Sequence, residues 1–249
     1  MPEIRHLNNA PIIEALVDFR VSLPKESTIE QLSGLAAEVG DRYPIVETIH
    51  KFEASLTFEA NAQKPVDAQT VPPTPAGFAF RSDDRRNVAQ FTLDGFTYNR
   101  LHPYTSWEEL EPEVVRLWRL YERFAAPQSC SRIATRYINR IEIPLPTELS
   151  QILMAPPKLP RGLPESLTAF ITRVIIQEET NNCSASVTQA SQAHLNPERA
   201  TVILDIEAYR QDDLGLLHRN VEDSLRVLHD MKNRVFFGSL TDEQLKRYE

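Results

Sequence analysis

Three sets of residues in this chain have the types and spacing to do chemistry. Glu14, Asp18 and Arg20 fall on one side of a period-two segment, between Ile12 and Leu16. Arg132, Arg136 and Arg140 share a side of another such segment with Ala134, Ile138 and Glu142, and Arg173 lies in a third. Guanidinium and carboxylate groups converging on a sheltered sheet face could hold a nucleotide or polyphosphate, with the acids carrying a divalent cation. The plainer account is ion pairing between strands, at about 0.2–1 kcal/mol per pair. Asp205 and Glu207, two apart on one strand, form the second set. They could bind Mg²⁺ or serve as acid and base, although a face turned to water explains them as well. The histidines are the third set. His6, His50, His102, His194, His218 and His229 spell neither His-Glu-x-x-His nor His-x-His. His218 and His229 would share a helix face about 16 Å apart, too far for one metal. No metal site is expected.

Glycine usage excludes several familiar sites. The seven glycines are Gly34, Gly40, Gly77, Gly95, Gly162, Gly215 and Gly238, no two closer than six positions. Dinucleotide loops, P-loops and nucleophile elbows all need closer pairs, because a bare backbone must approach a phosphate or make a sharp turn. No cofactor is therefore expected. Cys130 and Cys183 make no Cys-x-x-Cys, which removes a disulfide framework or thiolate zinc site within one chain.

Lys+Arg total 27 against Asp+Glu 35, a net charge of −8. The pI is about 5.4 and the mean hydropathy −0.36. An acidic surface repels a phosphate backbone, so nucleic acid is disfavoured as a partner. No stretch approaches the roughly 18 apolar residues that span a bilayer, and Met1–His6 is too polar for a secretory leader. No membrane contact is expected, and the expected compartment is the cytoplasm, with both thiols reduced. Arg outnumbers Lys 21 to 6, a bias that suits carboxylate or phosphate partners and buried pairs alike.

The elements that must position these side chains follow from periodicity. Residues 12–22, 51–60 and 132–144 alternate as strands, and Val88–Leu93 and Phe96–Leu101 flank Asp94-Gly95 as a hairpin with positive φ at Gly95. Ser27-x-x-Glu30 opens a helix to about Arg42. Ser106-x-x-Glu109 opens another, with a kink or restart expected at Pro112. Its Arg116, Arg119 and Arg123 compensate the helix dipole. Residues 61–76 read as a proline-rich surface loop. Residues 168–178, 183–190 and 200–210 are three further strands, before a long helix from about 212 to 236 and a short one capped by Thr241.

These elements predict an α+β fold, with a mainly antiparallel sheet of about eight strands packed on helices and a long C-terminal helix. A proline-rich stretch over 151–165 divides an N-terminal α+β half (1–150) from a strand-and-helix half (166–249), either as two domains or as parts of one sheet. A meander followed by such a helix is similar to helix-grip folds, which enclose a ligand cavity. An antiparallel sheet with inward Arg and Glu resembles the triphosphate-tunnel enzymes, although their opening Glu-x-Glu-x-Lys pattern is absent.

Several segments taken together resemble a sporadically distributed family of bacterial proteins of similar length, to which no activity is assigned. They are Asn9–Ala15, Asn99–Leu101 with Tyr104 and Trp107, Arg136–Pro144, and His229 with Phe236–Asp242. The resemblance implies accessory genes linked to defence or toxin–antitoxin loci. The function expected is a non-enzymatic interaction module that self-associates as a homo-oligomer or docks a protein partner. Exposed sheet edges or the terminal helices would form the contact. Trp107, Trp118, Phe236 and Phe237 are aromatic anchors suited to an interface, with core packing as the competing account. The alternative is a metal-dependent enzyme or sensor for a nucleotide or polyphosphate, held in a cavity lined by Glu14, Asp18, Arg20, Arg132, Arg136, Arg140 and Arg173.

Overall fold

A computed structural model describes residues 7–51, 54–57, 67–70, 72–162, 167–192, 196, 198–211 and 221–249. The strands are β1 (Ile12–Ser22), β2 (Ile45–Lys51), β3 (Ala54–Thr57), β4 (Asp67–Thr70), β5 (Thr74–Arg81), β6 (Asn87–Thr92), β7 (Gly95–Leu101), β8 (Ser129–Pro144), β9 (Ile171–Glu178), β10 (Cys183–Gln192) and β11 (Arg199–Gln211). The helices are α1 (Ile29–Ser33), α2 (Leu35–Val39), α3 (Trp107–Ala125), α4 (Val221–Ser239) and α5 (Asp242–Lys246). Among the described residues nine strands, rather than about eight, form one antiparallel sheet in the order β2-β5-β6-β7-β1-β8-β11-β10-β9, and β3 and β4 pair separately.

Strict alternation creates the two faces of the sheet. Ala15, Val17 and Phe19 of β1, Ile133, Tyr137 and Ile141 of β8, and Leu204 and Ile206 of β11 point inward and are buried. The helices cover that face. α3 lays Trp118 flat on Phe19, with centroids 4.2 Å apart and planes 12° from parallel. Phe91, Phe96 and Tyr121 extend the stack, and the Tyr121 hydroxyl donates to the Thr92 carbonyl at 2.8 Å. α4 packs on β8, β10 and β11 through Leu225, Leu228 and Met231. Trp107, Trp118, Phe236 and Phe237 are all buried, so these aromatics build the core and cannot supply an interface.

Strands on either side of 151–165 belong to the same sheet, because β8 pairs with β11 from Arg132↔Gln211 to Pro144↔Arg199. The start of that stretch is pinned. Met154 N–H donates to the Ser239 carbonyl and Thr241 N–H to the Ile152 carbonyl, both at 3.0 Å.

Several local expectations change in detail. The first helix opens one residue later, where Thr28 N–H donates to Gln31 Oε1 at 3.2 Å, and it divides at Gly34 into α1 and α2. A Cβ on Gly34 would lie 2.7 Å from the Phe124 ring of α3, so the bare backbone allows that close contact. α3 runs through Pro112 as one element. Its arginines pair with carboxylates: Arg116 with Glu113, Arg119 with Glu222 and Arg123 with Glu38, each at 2.7 Å. The region read as a loop over 61–76 contributes β4 and the start of β5, and the strand expected over 51–60 is described only at Lys51 and 54–57. His6, His194, His218 and the first part of the long helix lie outside the described residues.

The hairpin loop is Leu93-Asp94, one residue earlier than expected; Gly95 pairs with Thr92 as the first residue of β7, and its φ is not positive. The requirement is steric, since a Cβ there would sit 2.1 Å from the Phe19 carbonyl oxygen. Gly95→Ala must push β7 away from β1 and is expected to destabilise the fold by about 1–3 kcal/mol, the usual cost of overpacking. A urea midpoint unchanged from wild type would show that the strands separate freely.

Candidate functional site

The outer sheet face gathers the predicted charged residues. Register places Asp18 opposite Ala134, Arg20 opposite Arg132, and Leu16 opposite Arg136, so Glu14, Asp18, Arg20, Arg132, Arg136 and Arg140 share one surface. β11 supplies acids that face them. Arg136 forks onto Asp205 at 2.8 and 2.6 Å, and Arg132 bridges Glu207 at 2.9 Å and Asp18 at 3.5 Å. Asp18, only 6% exposed, also accepts from Arg20 Nε at 3.1 Å and from the Thr97 hydroxyl at 2.8 Å. Glu14 accepts from Asn99 Nδ2 at 2.6 Å. Arg140 and Arg199 both meet Glu142, at 3.7 and 2.6 Å. Arg173 lies on the same face but three strands from β8, where it donates to Ser186 Oγ at 2.9 Å. The Asp205 hydrogen bonds raise the Arg136 pKa, holding the guanidinium charged. The result is a lattice of opposed charges in which the central guanidiniums already hold carboxylates. Among the described residues, no cluster of three or more His, Cys, Asp or Glu is placed to hold a metal ion.

Among the clefts that open elsewhere, two gather ionisable side chains at their walls. The larger, about 540 Å³, lies beside the first half of α3 and is built around Glu113. That carboxylate accepts from the Tyr43 hydroxyl at 2.7 Å and from Arg42 and Arg116, which together lower its pKa against the burial that would raise it. Its charge is satisfied within the protein.

The second cleft, about 340 Å³, lies where α4 and the start of α3 meet the inner face of β8. Tyr137 and Asn139 reach it by strand alternation, while His229, Lys232, Asn233 and Phe236 come from successive turns of α4. Trp107 stacks on His229, with centroids 4.3 Å apart and planes 8° from parallel. Burial, and the charge of Lys232, push the His229 pKa down to about 3, so the ring is neutral. Its Nε2 accepts from Asn233 Nδ2 at 3.4 Å, and Asn233 Oδ1 accepts from Lys232 Nζ at 2.6 Å. Lys232 is 6% exposed, and its ammonium lies 3.8 Å from the Tyr137 ring centroid. Burial pushes its pKa down to about 7. Tyr104 and Tyr137 hydroxyls are 3.3 Å apart, and desolvation raises both phenols. Asn139 donates to the Leu204 carbonyl at 3.0 Å, while its Oδ1 is buried without a partner.

Sequence reading passed over this cleft, although a signal was present. Leu225, Leu228, Lys232 and Phe236 recur at helical spacing, so a lysine interrupts an apolar stripe. Segments far apart in the chain meet here, contributing Ala10, Ile12, Tyr104, Trp107, Tyr137, Asn139, His229 and Phe236 to the wall.

The sheet edges differ in character. β2 carries Glu47, His50 and Lys51, and ion pairs Arg81–Glu47 and Lys51–Asp94 hold it. β9, at the other end, exposes Ile171, Val174, Ile175 and Ile176, with Ile171 74% and Ile175 60% accessible. No helix of the described residues is long and apolar enough to cross a membrane. Compared with known proteins, the sequence matches no family model, and no curated protein matches it.

Proposed function

We propose that this protein is a cytoplasmic interaction module that self-associates without catalysing a reaction, through antiparallel pairing of β9 with β9 of a second copy. The observation that supports this reading is the β9 edge. A terminal strand with one neighbour leaves a row of backbone donors and acceptors unpaired, and soluble proteins usually protect such a row with lysine, proline or a covering segment. Here the four large apolar residues are exposed instead, on both sides of the strand. Setting Val174 or Ile175 on a two-fold axis opposes no like charges: Arg173 then faces Ile175 or Gln177 of the other copy. The pairing would extend the sheet across both chains and set the four apolar side chains against cross-strand neighbours, covering them in part. The family resemblance adds the setting, accessory loci for defence or toxin–antitoxin systems.

The alternative, a nucleotide or polyphosphate sensor on the Arg-rich sheet face, has weaker support. An incoming phosphate would have to displace Asp205 from Arg136, or Glu207 and Asp18 from Arg132.

Sedimentation velocity on the whole chain tests the self-association. Wild type is expected to sediment as a dimer, and Ile175→Lys as a folded monomer, since the added charge sits on an exposed edge. A wild-type monomer at millimolar chain concentration, or a dimer unaffected by Ile175→Lys and Val174→Lys together, would overturn the reading.

A further inference from the structure

We propose that the cleft between α4, α3 and β8 is a binding site for a small planar carboxylate that also carries an N–H or O–H donor. Its carboxylate would sit against the Lys232 ammonium, its flat body against Trp107 and Tyr104, and its donor on Asn139 Oδ1. The site stands apart from the β9 edge and does not rest on self-association.

The first support is an uncompensated cation. Lysine is among the residues least often buried unless paired, because the protein interior replaces hydration poorly. Lys232 is 94% buried, and among the described residues no carboxylate pairs with it. Its partners are one amide oxygen and the face of Tyr137. An ammonium has three donors, so the inventory leaves capacity for an anion. The amide and ring hold the amine without neutralising it, an arrangement suited to an incoming negative charge.

The second support is independent of charge. Asn139 Oδ1 is buried with no hydrogen-bond partner, while its amide nitrogen is committed to the Leu204 carbonyl. A buried acceptor left empty costs stability, and a ligand donor would relieve it once the Asn139 side chain turns its oxygen toward the cleft. The third is shape. The volume of about 340 Å³ falls within the range of small-molecule sites, and the lining sets Tyr104, Trp107, Tyr137 and Phe236 among polar and charged side chains. Trp107 and His229 are already stacked, so the indole that would receive a planar ligand is held in place before binding. Glu108, at the rim, disfavours a second negative charge there, which selects a monoanion.

The test uses 2-aminobenzoate and 2-hydroxybenzoate as probes, with benzoate as the control that lacks a donor and 2-aminobenzamide as the neutral isostere, titrated into the whole chain by calorimetry and followed by tryptophan fluorescence. Both carboxylates are expected to bind and the amide to bind about tenfold or more weakly, as loss of a charged hydrogen bond implies. Lys232→Met is expected to lose about tenfold to a hundredfold in carboxylate affinity while remaining folded. Asn139→Leu, whose methyls replace the amide, is expected to bind benzoate and 2-aminobenzoate alike, abolishing the preference for a donor. Absence of saturable binding by either carboxylate at millimolar concentration would overturn the proposal. So would equal affinity for the amide, or undiminished affinity in a folded Lys232→Met protein.

Discussion

Lys232→Met is expected to make the protein more stable at neutral pH, by about 2 kcal/mol or more. Burial takes the amine from its ordinary 10.5 to about 7. At about 1.4 kcal/mol per pKa step, that fall corresponds to about 5 kcal/mol of strain against the charged form. Losing the Asn233 hydrogen bond and the contact with the Tyr137 ring returns about 1 kcal/mol each. Methionine keeps the unbranched stem and removes the charge, as when buried ion groups are exchanged for apolar ones. The pH dependence has a definite sign. Between about 7 and 10.5 the unfolded chain binds the lysine proton and the folded chain does not, so wild-type stability rises with pH through that window. The advantage of Lys232→Met is therefore full below about pH 7 and shrinks towards pH 10. His229 titrates below the window, and its charge is disfavoured in the fold; Tyr104 and Tyr137, both raised by burial, and Glu108 are common to both proteins. Denaturant unfolding of the two proteins at pH 7 and pH 10 measures the difference. A destabilised Lys232→Met protein, or a gap that does not narrow with pH, would show that the lysine is compensated within the chain. A stabilising substitution at a lined cleft is what a function-driven cost leaves behind.

Trp118→Ala is expected to destabilise the protein by about 3–5 kcal/mol, the range for deleting a buried indole. Trp118 stacks on Phe19 and tilts against Phe96 and Tyr121, joining α3 to the centre of the sheet. Its indole nitrogen has no hydrogen-bond partner, so the loss is one of packing and contact area. Trp118→Phe keeps part of the stack and is expected to fall between the two. Thermal and urea unfolding would report a loss under about 1 kcal/mol if α3 repacked to close the space.

How far the letters led can be judged from particular elements. β1, β8, β10 and β11 were legible because period-two alternation is a local property, and each has one covered face. The caps at Ser106 and Thr241 were legible for the same reason: each hydroxyl accepts from the amide three residues on. β2 was not legible, because an edge strand with mostly exposed residues has no apolar face to alternate. β5 was hidden by Pro75 and Gly77, which read as a loop. The hairpin was found, but its loop is Leu93-Asp94 and Gly95 already pairs with Thr92; the constraint on Gly95 comes from the Phe19 carbonyl on another strand.

The sequence by itself determined which side chains would share a face: Glu14, Asp18 and Arg20 on one strand, Arg132, Arg136 and Arg140 on another, since covalent geometry sends alternate residues to opposite sides. Only the tertiary structure decided what those faces meet. The register of β8 against β11 put Asp205 on Arg136 and Glu207 within reach of Arg132, closing a pairing between residues some seventy positions apart. It also decided that Lys232, set in an apolar stripe, would be buried beside Tyr137 and Asn139 with no acid paired to it among the described residues, and that β9 would end the sheet with its isoleucines uncovered. The physical reason is that local periodicity fixes direction, whereas burial and charge compensation depend on neighbours brought together by long-range pairing.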